Sequence, residues 1–491
     1  MSWMLIALAA GPLIVAAAAI FLRPRIAQLL TLVAGTGALV LAIALAYHVR
    51  DGHTLVTARG WLGLDSLGAV FLLPTAFLYC ISSVYSIGYM KAESSEDYEP
   101  FARRYIVYLN LFCWAMLLVP LATDYASLWI AVEMTTIISA LLVALDRTDA
   151  ALEAAWKYVL IASAGLGIAL LGLIILYAAA SQQLGGDHIP RFSAYLAAAG
   201  QLHPAVIKLA FLLAAVGFGT KAGFAPMHTW LPDAHSEAPT PVSALLSGSL
   251  LANAFYAILR FYQVAVATGG HSFPNHVLLV FGVISLAVAA VFVMQQENYK
   301  RLLAYSSIEH IGVIALGIGF GTPFAIFGAL LHVLSHAAAK GLAFFGAGSV
   351  LRRYDTKRVD SVGNAIAVLP WSGPMFLLAA LALSGLPISG VFRSEFQVVT
   401  AGLANPSYIA AALLIIFVNL AFCGVIWHIG RMTLSTRPTL DRSAWRETSW
   451  WMVAGMIGCV VVVVGLGLHV PGSLEELLAG AARRLNTGGG Q

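Results

Sequence analysis

The composition of the chain indicates a protein that lies largely within a membrane. Its 491 residues are 60% hydrophobic and only 10% charged, whereas soluble domains carry roughly 25% charged residues. The formal net charge of +4 gives no support for nucleic-acid binding. The four cysteines lie far apart in apolar runs, without a CxxC or Cys/His cluster, which argues against iron–sulfur, zinc or disulfide roles.

Apolar runs of about 20 residues, the length that crosses a hydrocarbon core, predict an all-α polytopic membrane protein with fourteen spans. The N-terminal run lacks a basic region and a clear cleavage site, so we interpret it as a retained span and not as a signal peptide. No connecting segment exceeds about 30 residues, which leaves no room for an extramembrane domain or a redox cofactor. The predicted spans lie near 3–22, 27–47, 64–88, 105–121, 125–144, 157–178, 204–229, 242–266, 275–294, 302–319, 323–348, 368–400, 408–430 and 450–469.

Lysine and arginine are divided unequally between the two faces of the predicted bundle. The loops on one face hold about 17 of them and the opposite face about 7, and the richer face of a membrane protein is normally cytoplasmic. Clusters such as Arg352, Arg353, Lys357 and Arg358 are interpreted as topology signals at the lipid headgroups. We therefore expect a bacterial cytoplasmic membrane protein with both termini on the outer side.

Two predicted spans carry matching interruptions. Span seven contains GFGTKAGFAPMHTW and span twelve contains LSGLPISGVFRSEF, with Lys221 and Glu395 174 residues apart. The starts of spans four and nine have nearly the same spacing. Residues 101–270 and 271–432 are therefore predicted to form two five-helix units of inverted topology, an arrangement found in secondary transporters. Three helices in 1–100 precede them, and a last helix and tail in 433–491 follow.

The interruptions have a physical basis. Pro226 removes a backbone donor, and Gly219 and Gly223 permit the helix to unwind. The carbonyl groups freed in this way need partners, so a broken helix at membrane depth must line water or protein. A proline kink that serves only packing is the alternative for a single helix, but two interruptions in register, each with an ionisable residue, favour an ion path.

Glu133 lies well inside span five, in LWIAVEMTTIISALLV. A lone carboxylate at mid-membrane costs roughly 2.5–3.5 kcal/mol on insertion scales, so a partner is expected, and Lys221 is the natural one. A lysine beside a carboxylate keeps its charge, whereas the same lysine without that partner releases its proton more easily. The pair is predicted to be a proton switch, with a fixed structural ion pair as the alternative.

Span eleven carries three basic groups on one face. His332, His336 and Lys340 follow each other at intervals of four residues, which places them in one stripe of a helix. Histidine titrates near physiological pH, so the stripe is predicted to form a hydrated proton path, which His310 extends. Zinc binding is the other option, but Lys340 and the lack of a nearby carboxylate in the sequence weaken it, and no metal is expected.

Further ionisable and polar residues are weaker candidates. Lys157, at the start of span six, either reaches the cytoplasmic surface or approaches Glu133. Asp233 and His235, in the loop after span seven, form a possible proton uptake mouth on the cytoplasmic side. Additional candidates are His228 in the interruption of span seven and Arg393 next to Glu395.

The motifs resemble those of one family. TKAGFAPMHTWLPDAHSEAPTPVSALLSG is similar to the signature of antiporter-like proton-translocating subunits of respiratory complex I, Mrp-type cation/proton antiporters and group 4 hydrogenases. YSIGYM at 85–90, NYKRLLAYSSIEHIG at 298–312 and LHVLSHAAAKGLAFFGAGSV also match. Within the family the chain most resembles the hydrogenase-4 component F type, because of LEAAWKY and because HVPGSLEELLAG follows span fourteen, where the distal complex I subunit carries a long lateral helix.

The resemblance implies roles for matching positions. Glu133 and Lys221 would be the glutamate and lysine of a first half-channel, His332, His336 and Lys340 a central hydrophilic axis, and Glu395 the terminal group of a second half-channel. Some relatives carry a histidine at Ser247 or Gly248 and a lysine near Ala252, so the link from Lys221 to the histidines is expected to involve water, Asn253 or Ser249.

These observations predict an ion-translocating subunit that moves protons, with Na⁺ as the alternative ion, while partner subunits perform the redox chemistry. The expected partners are other membrane subunits and a peripheral hydrogenase or dehydrogenase arm, and no cofactor is expected in this chain. Two alternatives are a subunit of an Mrp-type Na⁺/H⁺ antiporter and a membrane anchor that does not pump. Buried charges at Glu133, Lys221, Lys340 and Glu395 argue against the anchor, which has no need of them.

Overall fold

The chain folds almost entirely into helices. The computed structural model describes residues 2–57, 59–91, 98–186, 188–404, 407–436 and 446–487. The helices are α1 Ser2–Phe21, α2 Pro24–Val49, α3 Ser66–Lys91, α4 Tyr98–Leu121, α5 Tyr125–Val143, α6 Asp149–Leu184, α7 Phe192–Ala198, α8 Pro204–Ala222, α9 Trp230–Glu237, α10 Thr240–Leu245, α11 Leu251–Gly269, α12 Ser272–Met294, α13 Tyr299–Gly319, α14 Pro323–Tyr354, α15 Ala365–Val368, α16 Ser372–Leu383, α17 Gly390–Ala404, α18 Tyr408–Leu434, α19 Trp450–Leu468 and α20 Gly472–Asn486.

The predicted membrane spans are present. Thirteen stretches within the described residues are long and apolar enough to cross a membrane. The remaining span, span twelve, predicted near 368–400, is divided into the shorter helices α16 and α17. The structure adds a small hairpin that the all-α prediction did not contain, in which strand β1 (Leu55–Val56) pairs antiparallel with strand β2 (Gly63–Leu64).

The helices differ in how much of their surface reaches the outside of the bundle. Residues 240–269 and α13 are buried along their whole apolar stretch, and α14 is 94% buried, whereas only about a third of α1 and of α2 is buried. Polar side chains on these three central segments are therefore shielded from lipid. Ionisable groups in membrane proteins normally lie in such shielded positions.

Both predicted interruptions are observed. Helix α8 ends at Ala222, Gly223 adopts a left-handed φ of 88°, and helix resumes at Trp230. The N–H of Phe224 donates to the carbonyl of Gly219 at 2.8 Å, which satisfies one of the carbonyls left free at the helix end. In the second interruption, Gly385 has a φ of 76° between α16 and α17.

A third irregularity was not predicted. Residues Leu246–Leu250 form a π-helical segment between α10 and α11. Such segments insert an extra residue into a helix and are frequent at functional sites. The segment turns Ser247 and Ser249 toward different neighbouring helices.

Candidate functional site

Lys221 is fully buried near the end of α8, just before the first interruption. Its ammonium donates hydrogen bonds to Oγ1 of Thr136 on α5, at 2.9 Å, and to the hydroxyl of Tyr158 on α6. Nζ also lies 4.5 Å from the ring centroid of Tyr158 and 5.9 Å from that of Trp230. Hydroxyl acceptors and aromatic faces thus replace the water that a lysine normally requires.

Glu133 lies on α5, and none of the described hydrogen bonds or ion pairs joins it to this lysine. Oε1 of Glu133 accepts a hydrogen bond of 2.9 Å from Ser163 on α6, and Oε2 has no partner within the described residues. Thr136, which binds Lys221, follows Glu133 by three positions on the same helix. The fixed ion pair considered as the alternative is therefore absent from the described contacts, in which Lys221 binds Thr136 and Tyr158.

The partners of Lys221 continue into a directed chain of hydroxyl groups. The Ser139 hydroxyl donates to the carbonyl of Thr135 at 2.5 Å and lies 2.7 Å from the Tyr158 oxygen. Since Lys221 donates to Tyr158, the proton of Tyr158 is free to point at Ser139. Sequence reasoning missed these hydroxyls, although Thr136 and Ser139 recur at steps of three from Glu133 and Tyr158 directly follows Lys157.

Lys157 lies at the surface, which decides between its two predicted positions. Its Nζ is 2.5 Å from Glu153 and 3.4 Å from Asp233, and Arg301 approaches Asp233 at 2.9 Å. Asp233 lies on α9 and not in a loop as predicted. These side chains and Glu237 line a cavity of about 330 Å³, so the expected uptake mouth is an ion-paired cavity at the surface.

His228, in the first interruption, and His235, on α9, are both buried, so neither is exposed to solvent as a proton uptake site at the surface would require. His235 is fully buried and its Nδ1 lies 2.8 Å from the carbonyl oxygen of Leu231. Burial lowers the pKa of His235 to about 3, so the ring is neutral and Nδ1–H donates to that carbonyl. His228 is 7% exposed.

The π-helical segment provides a polar contact between the two halves of the protein. Oγ of Ser247 lies 2.7 Å from Oγ of Ser307 on α13. Beside Ser307, Ser306 accepts a hydrogen bond of 2.5 Å from Lys340, which also donates to the carbonyl of Leu303 at 2.8 Å. This contact brings a residue of the segment next to the partner of Lys340 on α14.

The two residues predicted to form the bridge point elsewhere. Asn253 donates to Thr75 on α3 at 3.4 Å and to the carbonyl of Met116 at 3.1 Å, and Ser249 lies 2.6 Å from Thr75. The described hydrogen bonds of Ser249 and Asn253 therefore link the π-helical segment and α11 to α3 and α4. Ser247, noted in the sequence only as a departure from relatives, is the residue that contacts α13.

A second cluster of ionisable groups lies on α13, α14 and α17. Nδ1 of His310 is 3.1 Å from Nε2 of His332 and 3.6 Å from Oε1 of Glu395. The His336 ring centroid lies 5.0 Å from that of His310. His310, His332, His336 and Lys340 are all fully buried, so the stripe predicted on span eleven faces the interior and His310 lies beside it.

The surroundings of this cluster include a second buried carboxyl group and leave one expectation unsupported. Glu309 on α13 is only 3% exposed. Arg393 is partly exposed, and none of the contacts described for the chain joins its side chain to Glu395. Oε2 of Glu395 instead faces the backbone of Gly385 in the second interruption.

A buried ion pair between Asp65 and Arg260 was not predicted from the sequence. Arg260 on α11 binds both carboxylate oxygens of Asp65, at 2.9 and 2.7 Å. Burial opposes the charge of Asp65, but the Arg260 charge and hydrogen bonds, aided by Arg484 and the N–H of Gly68, outweigh it and lower the pKa of Asp65 to about 2. The pair joins the start of α3 to α11.

Comparison with known proteins places the chain in a family. The family described as "NADH:quinone oxidoreductase/Mrp antiporter, TM" matches residues 122–422. A hydrogenase-4 component F homolog of Methylacidiphilum infernorum is 32% identical over 423 residues, which are 84% of this chain and 86% of that protein. NADH-quinone oxidoreductase subunit N of Desulforudis audaxviator is 30% identical over 401 residues, 78% of each chain.

Solved structures agree in fold. A chain of an archaeal membrane-bound sulfane sulfur reductase superposes with a TM-score of 0.86 at 21% identity, covering 99% of this chain and 98% of that one. A chain of the Mrp complex of Dietzia superposes with a TM-score of 0.85 at 20% identity, covering all of both chains. The resemblance seen in the motifs is thus confirmed, and the chain belongs to the NADH:quinone oxidoreductase/Mrp antiporter transmembrane family.

Proposed function

We propose that this chain is a proton-translocating membrane subunit of a multi-subunit redox complex of the group 4 hydrogenase or NADH–quinone oxidoreductase kind. The observation that carries the proposal is a pair of buried polar clusters, one around Lys221 and one that contains Lys340, His310, His332 and Glu395. Buried charge inside a membrane is costly and normally functional. Relatives named as hydrogenase-4 and NADH-quinone oxidoreductase subunits support the redox setting.

In the proposed mechanism Lys221 is the switch of the first half. Its ammonium is held by neutral hydroxyls, while the carboxylate of Glu133 lies one turn before Thr136 on α5. A change in partner subunits that moves Glu133 toward or away from Lys221 alters how strongly the lysine holds its proton. Thr136 and Tyr158 accept hydrogen bonds from the ammonium in place of water, so the lysine remains able to give up and regain a proton.

The proton then passes to the second half. Ser247 and Ser307 form the proposed crossing to the surroundings of Lys340, and His336, His310 and His332 form the path to Glu395, beside which the proton leaves. Imidazoles can accept a proton on one nitrogen and release it from the other. The proton enters on the side where Lys157 and Asp233 line the surface cavity, which we propose is cytoplasmic.

We also propose how the chain is organised, in which membrane it lies and which partners it has. Residues 101–270 and 271–432 are two inverted half-channels, one built around each interruption, preceded by the three helices of 1–100 and followed by 433–491. The chain lies in a bacterial cytoplasmic membrane with both termini outside, and its partners are other membrane subunits and a peripheral hydrogenase or dehydrogenase arm. Matching interruptions at Gly223 and Gly385 support the repeat.

The test replaces Lys221 by alanine in the complex purified through a tag on this chain and reconstituted into liposomes. Proton pumping is followed by a pH-sensitive dye while electron transfer is measured in the same sample. We expect assembled complex with electron transfer but strongly reduced pumping. Lys208→Ala is the matched control, because Lys208 lies on the same helix with its Nζ 5.8 Å from the Phe273 ring centroid and belongs to neither cluster. Pumping at the wild-type ratio in Lys221→Ala would refute the assignment.

An Mrp-type antiporter subunit is the second candidate, favoured by the fit to a chain of an Mrp complex. The proteins that co-purify with the tagged chain separate the two candidates, since redox subunits support the first and small cation-antiporter subunits the second. Uptake of ²²Na⁺ driven by a pH gradient, abolished in Lys221→Ala, would also favour the antiporter. Undiminished pumping after neutralisation of Glu133, Lys221, Lys340 and Glu395 together would instead indicate a non-pumping anchor.

A further inference from the structure

His310, His332 and Glu395 have the geometry of a metal site. One ligand atom from each residue lies within 4.8 Å of the others, and all three side chains are buried. Ligand atoms bound at about 2.0–2.1 Å in a tetrahedral zinc site lie roughly 3.3 Å apart. The two separations of 3.1 and 3.6 Å at Nδ1 of His310 bracket that value.

The hydrogen bonds around His332 direct a lone pair into the cluster. The Ser394 hydroxyl donates to the carbonyls of Gly390 and Val391, at 3.0 and 2.8 Å. Its oxygen therefore accepts the 2.9 Å hydrogen bond from Nδ1 of His332, which leaves Nε2 without a proton. A second hydrogen bond that fixes the tautomer of a ligating histidine is a usual feature of metal sites.

His310 and Glu395 also have unused ligand capacity. Oε1 of Glu395 and Nε2 of His310 are buried and have no hydrogen-bond partner within the described residues. His310 currently offers Nδ1–H to His332. Moving that proton to Nε2 sacrifices no other described hydrogen bond, and it frees Nδ1 as a ligand. Unpaired buried polar atoms are costly, so a cation that engages Oε1 removes part of that cost.

A cavity lies close to the carboxylate of the cluster. A cavity of about 290 Å³ is lined by Gly385, Pro387, Asn419 and their neighbours. A Cβ atom on Gly385 would lie 3.2 Å from Oε2 of Glu395, so the cavity reaches the backbone that touches this carboxylate. The side chain of Glu395 is 10% exposed whereas that of His310 is fully buried, so the carboxylate meets an incoming ion first.

We propose that His310, His332 and Glu395 bind one Zn²⁺ ion, with the fourth position left to water. Two imidazoles and one carboxylate match Zn²⁺ and related transition metals, whereas Mg²⁺ and Na⁺ prefer oxygen ligands alone. The carboxylate whose absence near His332 weakened zinc in the sequence comes from α17, 63 positions later in the chain. Zinc at this site would occupy nitrogen atoms of the proposed proton path and block pumping, a consequence that rests on the proposed function.

The binding test uses the full-length chain purified in detergent, stripped with EDTA and titrated with ZnCl₂ or CoCl₂ without turnover. We expect retention of about one Zn²⁺ per chain, visible Co²⁺ bands of tetrahedral intensity, and no displacement by equimolar MgCl₂. His332→Gln and Glu395→Gln should weaken zinc binding by at least about tenfold, and Ser394→Ala by about tenfold through loss of orientation. His276→Gln, at an exposed histidine, should bind as wild type.

The metal-free melting temperature of each variant shows whether it is folded. Retention of Zn²⁺ by Glu395→Gln and His332→Gln equal to wild type, or loss of tight binding in His276→Gln, would overturn the site. Wild-type protein without tetrahedral Co²⁺ bands would overturn it independently of any variant. Tight zinc binding that leaves pumping unchanged would uphold the site and contradict the proton path through these histidines, so the two proposals fail separately.

Discussion

The ammonium of Lys221 donates to Oγ1 of Thr136, three positions after Glu133 on α5, at 2.9 Å. The partner of the lysine and the carboxylate thus lie on successive turns of α5, and each charged group binds a neutral hydroxyl, since Ser163 donates to Glu133. A pair arranged in this way can change its interaction through a small movement of α5 against α8. A direct ion pair would have to be broken first, at the cost of leaving two buried charges uncompensated.

The first prediction concerns Tyr158, which accepts from Lys221 and lies beside Ser139. Tyr158→Phe removes one acceptor of a buried ammonium, an interaction worth about 1.5–3 kcal/mol. We expect proton pumping per electron in reconstituted complex to fall by about tenfold or more while the complex assembles and transfers electrons.

The control is Tyr177→Phe, which removes a hydroxyl on the same helix that donates to the carbonyl of Gly186. It should leave pumping unchanged. Equal pumping in Tyr158→Phe and wild type would show that Thr136 alone supports Lys221 and would contradict the hydroxyl chain.

The second prediction concerns the contact between Ser247 and Ser307, 2.7 Å apart. Ser247→Ala and Ser307→Ala should each slow pumping, and the double variant should be no slower than the worse single, because the two residues act as one link. Ser349→Ala, at another buried serine, is the control. Additive losses would mean that the two serines act at separate places and that protons cross elsewhere.

The sequence predicted the fold and the helix positions of most ionisable side chains, because these features depend on local patterns. Runs of apolar residues mark each span, and glycine, proline and charge together mark the breaks at Gly223 and Gly385. The spacing of His332 and His336 placed them on one face. Each of these inferences needs only a few consecutive residues and a helical period.

The connections between these residues depend on how helices pack, which one sequence does not specify. Nothing local distinguishes Ser247, which contacts α13, from Ser249, which contacts α3; the π-helical segment sets their directions. The approach of Glu395 to His310 likewise requires α17 to lie against α13. The position of Tyr158 beside Lys221 likewise depends on how α6 packs against α8.

The third prediction concerns the buried pair of Asp65 and Arg260. Asp65→Asn leaves Arg260 buried without its counter-charge and should destabilise the protein by about 3–5 kcal/mol. Asp360→Asn, at an exposed pair with Arg431, should cost less than about 1 kcal/mol. Unfolding in detergent, followed by intrinsic fluorescence, measures both.

The same pair predicts how stability depends on pH. The pKa of Asp65 is lowered from 3.8 to about 2 by Arg260 despite burial. The ionised carboxylate therefore stabilises the fold fully above about pH 4, and this contribution, about 2 kcal/mol, is lost as pH falls toward about 2. The difference in melting temperature between wild type and Asp65→Asn should shrink over that window. A constant difference would show that the pair is not the source.

The last prediction concerns Gly385, whose φ of 76° and position beside Glu395 give it two separable roles. In Gly385→Ala the new Cβ would lie 3.2 Å from Oε2 of Glu395, so the carboxylate must shift. The left-handed backbone adds about 1–2 kcal/mol of strain. Gly52→Ala is the control, because Gly52 also has a positive φ, of 89°, but no atom within 4 Å of its Cβ position. Both variants should lose similar stability, and only Gly385→Ala should also lose proton pumping and zinc retention. Equal function in the two variants would mean that Glu395 does not depend on the second interruption for its position.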